Sequence, residues 1–376
     1  MKELDLGLIR GELDEIDGRI IALFSERMEL CKDVAEYKIR TGKPVFDPGR
    51  EREKLDMVKA GAKDAFMARA REELFSQIMA ISRRYQYQVI GEGKQAGGFS
   101  RVERLDTVGK RIVYQGMEGA YAHGAALEFF GKEANVSHVP TFEAAMAAVR
   151  DGEADYGVLP IENSSAGSVT DNYDLLIEYP NHIVGEVCIP VEHSLLALPG
   201  ATLEGIRTVY SHPQALMQCS KYLALHGDWR QVSVENTALA AHGILTDDDE
   251  TAAAIASPVA GELYGLATLA TGINHNKNNT TRFIVVSRDA IYTAAASKIT
   301  VCFELPHESG SLYGMLGNCV YNGANMVKIE SRPIQGKTWE YRFFVDIEGN
   351  LGDESIRNAL TAMEMEAGWF RVLGNY

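Results

Sequence analysis

The chain has 376 residues, 46% of them hydrophobic, and a formal net charge of −15, which allows two or three domains with ordinary cores. Such a charge repels nucleic-acid phosphates and anionic lipid, so neither nucleic acid nor a membrane is expected as a partner. Any anionic ligand must then be held locally by a few well-placed groups.

No apolar run approaches the roughly eighteen residues of a membrane span, and the start MKELDLGLIR is acidic where a signal peptide is basic and then apolar. A soluble, cytoplasmic protein is expected. The five cysteines are widely spaced and form no CxxC, and the nine histidines form no HxxxH or HxH pair. We expect reduced core cysteines, no metal and no cofactor.

Apolar residues at Leu6, Ile9, Leu13, Ile16, Ile20 and Leu23, continued by Leu30, Val34 and Tyr37, trace one helical seam. Arg27 stands where that seam needs an apolar side chain. Either it bends outward and buries only its stem, or it turns a guanidinium into a bundle to meet an anion; the cost of an unpaired charge at a seam favours the second. Lys38, eleven residues on, returns to nearly the same face. Thr41, Gly42 and Pro44 end this helix, and Asp47 followed by Pro48 starts the next, with Arg50 and Glu51 in its first turn. A third helix is expected over 64–88, where Phe75, Met79, Ser82 and Gln86 share a stripe, so polar residues continue an apolar face.

The stretches LGLIRGELDEIDGRIIALFSERMEL and PVFDPGREREKL resemble the all-helical chorismate mutases. The resemblance implies Arg10, Arg27, Lys38, Asp47, Arg50, Glu51, Ser82 and Gln86 as ligands of chorismate, with Lys38 and Gln86 acting on its ether oxygen. Arg10 and Lys38 are 28 residues apart on one helix, about 42 Å at 1.5 Å per residue. If both grip one small molecule, Arg10 comes from a second copy, and an intertwined helical homodimer or higher oligomer is expected.

Residues 91–107 open with GEGKQAGGFS and read as a flexible linker. Beyond it, strands (RIVYQG, YGVLPI, HIVGEVCI, TVYS, QVSVE, RFIVVS) alternate with helices over 120–130, 142–150, 214–225 and 237–245. That alternation predicts an α/β architecture with mainly parallel sheet. ADYGVLPIEN and TAAAIASPVA hint at two similar lobes facing across a cleft. The stretch GVLPIENSSAGSVTDNYDLL is a buried strand breaking into Glu162, Asn163, Ser164 and Ser165 before helical spacing resumes, a pattern that serves equally as an anion site or a helix cap.

GVLPIENSSAGSV, with the loops GMEGAY, SHPQALMQC and TRF in the same order, resembles a complete prephenate dehydratase domain, assigned to 108–288. The first loop departs from the family, reading GMEGAYAH without the usual proline and serine. The resemblance implies Thr281 as the catalytic group at the departing hydroxyl of prephenate, with Glu162, Asn163, Ser164, Ser211, Gln214, Arg282 and Phe283 binding substrate. An isolated threonine hydroxyl is a poor acid, so Glu162 or Arg282 is expected to polarise it. Arg282 is also the expected carboxylate partner, and His212, beside Pro213 in a turn, is read as structural.

From 298 the order strand, helix, hairpin, helix, strand predicts a ferredoxin-like α+β domain over 298–376. ESRP at Glu330, Ser331, Arg332 and Pro333, and Gly310, Ser311, Leu312 in place of a usual GAL, resemble ACT regulatory domains, whose loops bind L-phenylalanine. The whole resembles the bifunctional chorismate mutase/prephenate dehydratase family: a helical domain over 1–90, a two-lobed α/β domain and an ACT domain, with L-phenylalanine as allosteric inhibitor. Two other readings are a dehydratase whose helices only dimerise, and a non-catalytic amino-acid sensor. The first would keep position 27 apolar; the second would tolerate loss of Asn163 and Thr281.

Overall fold

A computed structural model describes residues 5–91 and 98–376. They form two compact units, one of Val301–Val372 with the N-terminal region up to Gly98, the other of Phe99–Thr300 with Leu373–Tyr376. None of the described helices is long and apolar enough to cross a membrane.

In the first unit, helices α1 (Leu6–Thr41), α2 (Pro48–Ala60) and α3 (Ala65–Gly91) follow the expected pattern. Gly42 ends α1 in the left-handed region at φ 68°, where a side chain would be strained, and its N–H closes onto the Lys38 carbonyl. Asp47 caps α2 through the Arg50 N–H, and Asp64 accepts from the Met67 N–H at the start of α3. The α1 seam, however, is not buried within one chain. Leu13 is 52% exposed, Ile20 56% and Leu30 60%, while Cys31 and Ala35 are the buried residues of α1.

Through Val301–Val372 the same unit holds most of a four-strand path in the order Met326–Pro333, Tyr341–Glu348, Lys298–Glu304, Trp369–Asn375, with helices Ser311–Tyr321 and Glu354–Glu366. This strand-helix-strand-strand-helix-strand order is the ferredoxin-like one. Helix Glu354–Glu366 packs on α3, and Val45, Tyr87 and Ala362 share a small core with Ile90 against it.

In the second unit the linker expectation fails beyond 97. Phe99 is buried, and Ser100–Val102 pairs in parallel with Ile291–Thr293; residues 92–97 of that linker lie outside the described residues. Two sheets follow. One runs Asn135–Val139, Arg111–Gln115, Tyr156–Asn163, Thr280–Ser287, His182–Pro190; the other runs Ala267–Ala270, Ser194–Ala197, Ala252–Ala256, Thr208–Ser211, Arg230–Ser233. Both are mixed, which corrects the mainly parallel expectation. Thr280–Ser287 returns from the second lobe and inserts antiparallel between Tyr156–Asn163 and His182–Pro190, and Ser194–Ala197 does the same in the other sheet. A strand delivered by a crossing chain need not share the direction of the βαβ strands it joins.

Gly119 fits the lobes together. It holds φ 83°, and a Cβ there would lie 3.1 Å from Ala260. Around it, Ser257 donates to the Gly119 carbonyl at 2.8 Å and Tyr264 to the Glu118 carbonyl at 2.7 Å. Of the cysteines, four are buried as expected, but Cys188 is exposed, on the outer side of its strand.

Candidate active sites

The helical unit gathers a polar cluster between α1, α2 and α3. Arg27 turns inward and donates from Nη1 to Ser82 Oγ, itself 4% exposed. Gln86, 6% exposed, donates to the Ser82 carbonyl at 3.1 Å, and its Oε1 is buried with no partner among the described residues. A buried amide oxygen left unmet is costly, and a bound donor relieves that cost. Lys38 donates to the Val45 carbonyl at 2.7 Å. Burial lowers its pKa, with Asp47 and Glu51 pulling the other way, so all three charges share one neighbourhood. Glu51 is held by both oxygens on Arg83 of α3. Asp47 and Arg50 are exposed, and Arg50 pairs with Glu53 at 3.2 Å rather than reaching inward. Arg10 is exposed near the start of α1, seventeen residues before Arg27. Thus the fold joins Arg27, Lys38, Glu51, Ser82 and Gln86, and leaves Arg10, Asp47 and Arg50 at or beyond the rim.

The second unit has a cavity of about 340 Å³ between its lobes, lined among others by Gln115, Asn163, Gln214, Thr281 and Phe283. Thr281 and Asn163 lie opposite each other in register. Asn163 Nδ2 donates to Thr281 Oγ1 at 2.9 Å, and Asn163 Oδ1 accepts the N–H groups of Ser165 and Ala166 at 3.0 and 2.9 Å. Those two backbone donors fix which end of the amide meets the threonine. The threonine oxygen therefore accepts, and its own proton is left to donate into the cavity.

Several sequence expectations are corrected here. Strand alternation sends Arg282 to the face opposite Thr281 and Phe283, where it pairs with Glu162 and Glu186, each at 3.3 Å. Neither Glu162 nor Arg282 lines the cavity, so Asn163 takes the polarising place expected of them. Ser211 is fully buried and donates to the Ile255 carbonyl at 2.6 Å, and Ser164 accepts the Thr280 N–H at 2.9 Å. Both staple backbone rather than face the cavity. The polar loop does not cap the next helix either; Val169 stands at that N-cap. His212 lines the cavity but accepts the Gln214 N–H at 3.2 Å, a cap, as its structural reading expected.

Among the described residues, no Arg or Lys lines this cavity. Its rim is instead set by the starts of helices Tyr121–Phe130, Thr170–Glu178 and Thr237–Asp247, whose leading residues Ala120, Val169 and Asn236 border it. Helix starts carry unpaired N–H groups and a positive dipole end, which suits an anion without a cationic side chain.

Sequence reasoning had Tyr121 and Gln218 only as members of the loop motifs GMEGAY and SHPQALMQC, without a role, and missed His193. The Tyr121 hydroxyl donates to the Glu192 carbonyl at 2.6 Å and lies 3.1 Å from His193 Nδ1; His193 Nε2 is 2.9 Å from Gln218 Oε1. Burial lowers the His193 pKa, against a smaller upward pull from Gln218. A histidine at the head of the apolar run SLLAL was the available signal.

In the C-terminal region, Gly310 precedes helix Ser311–Tyr321 in a left-handed conformation, and Ser311 and Leu312 border a cavity of about 350 Å³ with His307, Glu340 and Phe343. Glu330, Ser331, Arg332 and Pro333 lie on the strand that ends the sheet order and do not line that cavity.

The family model for prephenate dehydratase matches residues 112–291, and that for chorismate mutase type II matches residues 9–87. A bifunctional chorismate mutase/prephenate dehydratase from Aquifex aeolicus (strain VF5) is 33% identical over 99% of this chain and 98% of its own length. Among solved structures, a prephenate dehydratase from Arthrobacter aurescens in complex with L-Phe is 32% identical, with a TM-score of 0.66 over 71% of this chain and 89% of that one. A quorum quenching acylase, GqqA, matches with the same TM-score of 0.66 and 32% identity over 71% of this chain and 97% of its own.

Proposed function

Because the chain belongs to the bifunctional chorismate mutase/prephenate dehydratase family, we propose that it converts chorismate to prephenate in residues 1–90 and prephenate to phenylpyruvate in residues 108–288. Residues 298–376 act as an ACT-type domain through which L-phenylalanine inhibits the enzyme. The observation that carries the first activity is the inward Arg27, joined by Lys38, Glu51, Ser82 and Gln86, in a bundle whose helices need only apolar contacts to pair. That cluster speaks against helices that merely dimerise.

The rearrangement of chorismate forms no covalent intermediate, so the site has only to fold a dicarboxylate and stabilise charge on the breaking ether oxygen. Arg27 holds a carboxylate, Lys38 and the second amide N–H of Gln86 donate to the ether oxygen, and Glu51 orients the ring hydroxyl. Arg10, supplied by a second copy, closes the site, and Asp47 and Arg50 complete its rim. The same copy covers the exposed α1 seam.

In the second reaction water and carbon dioxide leave and an aromatic ring forms, so the main task is to protonate the departing hydroxide. Thr281, with its oxygen already engaged by Asn163, donates that proton as the hydroxide leaves as water, and regains one from solvent to close the turnover. Gln115, Gln214 and the helix starts hold the carboxylates, and Phe283 packs beside the ring. The Gly310, Ser311, Leu312 and Glu330 to Pro333 motifs bind L-phenylalanine where C-terminal domains of two copies meet. Chorismate added to the purified chain, with and without L-phenylalanine, tests all three statements. Prephenate and then phenylpyruvate should appear, both suppressed by the amino acid; no prephenate, or no phenylpyruvate, contradicts the corresponding half.

A further inference from the structure

Arg83 follows Ser82 on α3 and has only 15% of its side chain exposed. From Nη1 it grips both oxygens of Glu51 on α2, and from Nε it donates to Glu366 Oε1 at 3.0 Å, at the end of helix Glu354–Glu366. Its guanidinium lies 5.0 Å from the centre of the Phe46 ring. The second oxygen of Glu366 accepts Asn318 Nδ2 at 3.1 Å, from helix Ser311–Tyr321. Burial opposes the charge on Arg83, but the two carboxylates outweigh it and raise its pKa. One planar cation is thus shared between a carboxylate of the helical site and a carboxylate of the C-terminal helices. Only a guanidinium can serve two partners along two of its edges; an ammonium is a point charge.

We propose that Arg83 is a positioning residue for the chorismate rearrangement, and that Glu366, by holding its other edge, makes the C-terminal domain part of the mutase geometry. This rests on the reading of Glu51 as a ligand of the substrate. Arg83 touches no substrate itself. It aims Glu51 into the space it shares with Lys38, and without it Glu51 is free to swing toward solvent. The Ser82 and Arg83 pair also divides labour on α3, with Ser82 facing Arg27 and Arg83 facing Glu51.

The test uses the full chain and measures both reactions. Arg83→Met should lower mutase kcat by roughly tenfold to a hundredfold, as loss of orientation does, with a smaller change in KM. Dehydratase turnover on added prephenate should stay within about twofold, since that site lies in other residues. Arg83→Lys should recover part of the mutase rate, and Glu366→Gln should lower it by a few-fold, roughly. Lysine should do relatively better when Glu366→Gln is also present, because it then has one carboxylate to serve. Glu51→Gln is made in parallel. If it loses mutase activity while Arg83→Met keeps it, the positioning role is wrong and the ligand reading stands. If Glu51→Gln keeps full activity, both are wrong. Equal losses of mutase and dehydratase in Arg83→Met would show a general structural role and overturn the proposal as well.

Discussion

A single amide sets the hydrogen bonding of Thr281. Asn163 gives its Nδ2 to the threonine oxygen while two backbone N–H groups occupy its Oδ1, so the amide cannot turn over without losing three hydrogen bonds. Accepting a hydrogen bond makes the hydroxyl a better donor. Asn163→Ala should therefore lower dehydratase kcat by roughly a hundredfold, the usual scale for a positioned proton donor, and leave the mutase rate unchanged. Steady-state assays on prephenate and on chorismate check both halves. Lys38 offers a second residue-scale expectation. Burial lowers its pKa from 10.5 in spite of Asp47 and Glu51, so it loses its charge at a pH where an ordinary lysine keeps it. Mutase activity should fall as pH rises through that value, below 10.5. In the window between the two, the unfolded chain binds more protons than the folded one, so stability rises with pH while activity falls. A pH profile of mutase kcat alongside a denaturation series would separate the two trends.

At the scale of elements, α1 is the informative case. Its 3,4 spacing was legible in the sequence, and so were its Gly42 end and the Asp47 start of α2, because each rests on local chemistry. Which neighbour covers the seam was not legible, since periodicity marks an apolar face without naming its partner. Within the chain only Cys31 and Ala35 of α1 are buried, whereas Leu6, Leu13, Ile16, Ile20 and Leu23 are between 47% and 64% exposed. Covering the exposed half of each such side chain is worth about 1 kcal/mol, which a second copy can supply. Light scattering should give the unaltered chain the mass of an oligomer, and Ile16→Asp should lower that mass and remove most mutase activity, while dehydratase turnover persists. An unchanged mass would place the partner surface elsewhere. The middle sheets show the converse limit. Ser194–Ala197 is wholly buried and four residues long, with no alternation to betray it, and Asn135–Val139 is a polar edge strand. Strand direction escaped as well, because Thr280–Ser287 owes its antiparallel place to the path of the chain between lobes.

For the whole molecule, what the sequence could offer was residue identity, and what it withheld was which side of a strand each residue takes. Thr281 and Asn163 meet as their motifs implied, yet Arg282, one residue on, faces Glu162 and Glu186 on the far side. A cavity whose described lining holds no Arg or Lys and whose rim is set by helix starts is equally invisible to a search for cationic side chains, because backbone N–H groups leave no trace in the residue alphabet. The two chemistries occupy separate residues, 9–87 and 112–291 by family match, so each can be lost without the other. The direct measurement supplies Lys38→Ala and Thr281→Ala chains with chorismate and, separately, with prephenate. Lys38→Ala should make no prephenate from chorismate yet turn added prephenate into phenylpyruvate, and Thr281→Ala should accumulate prephenate from chorismate without phenylpyruvate. Either variant losing both reactions, or keeping the one assigned to its altered residue, would contradict the account.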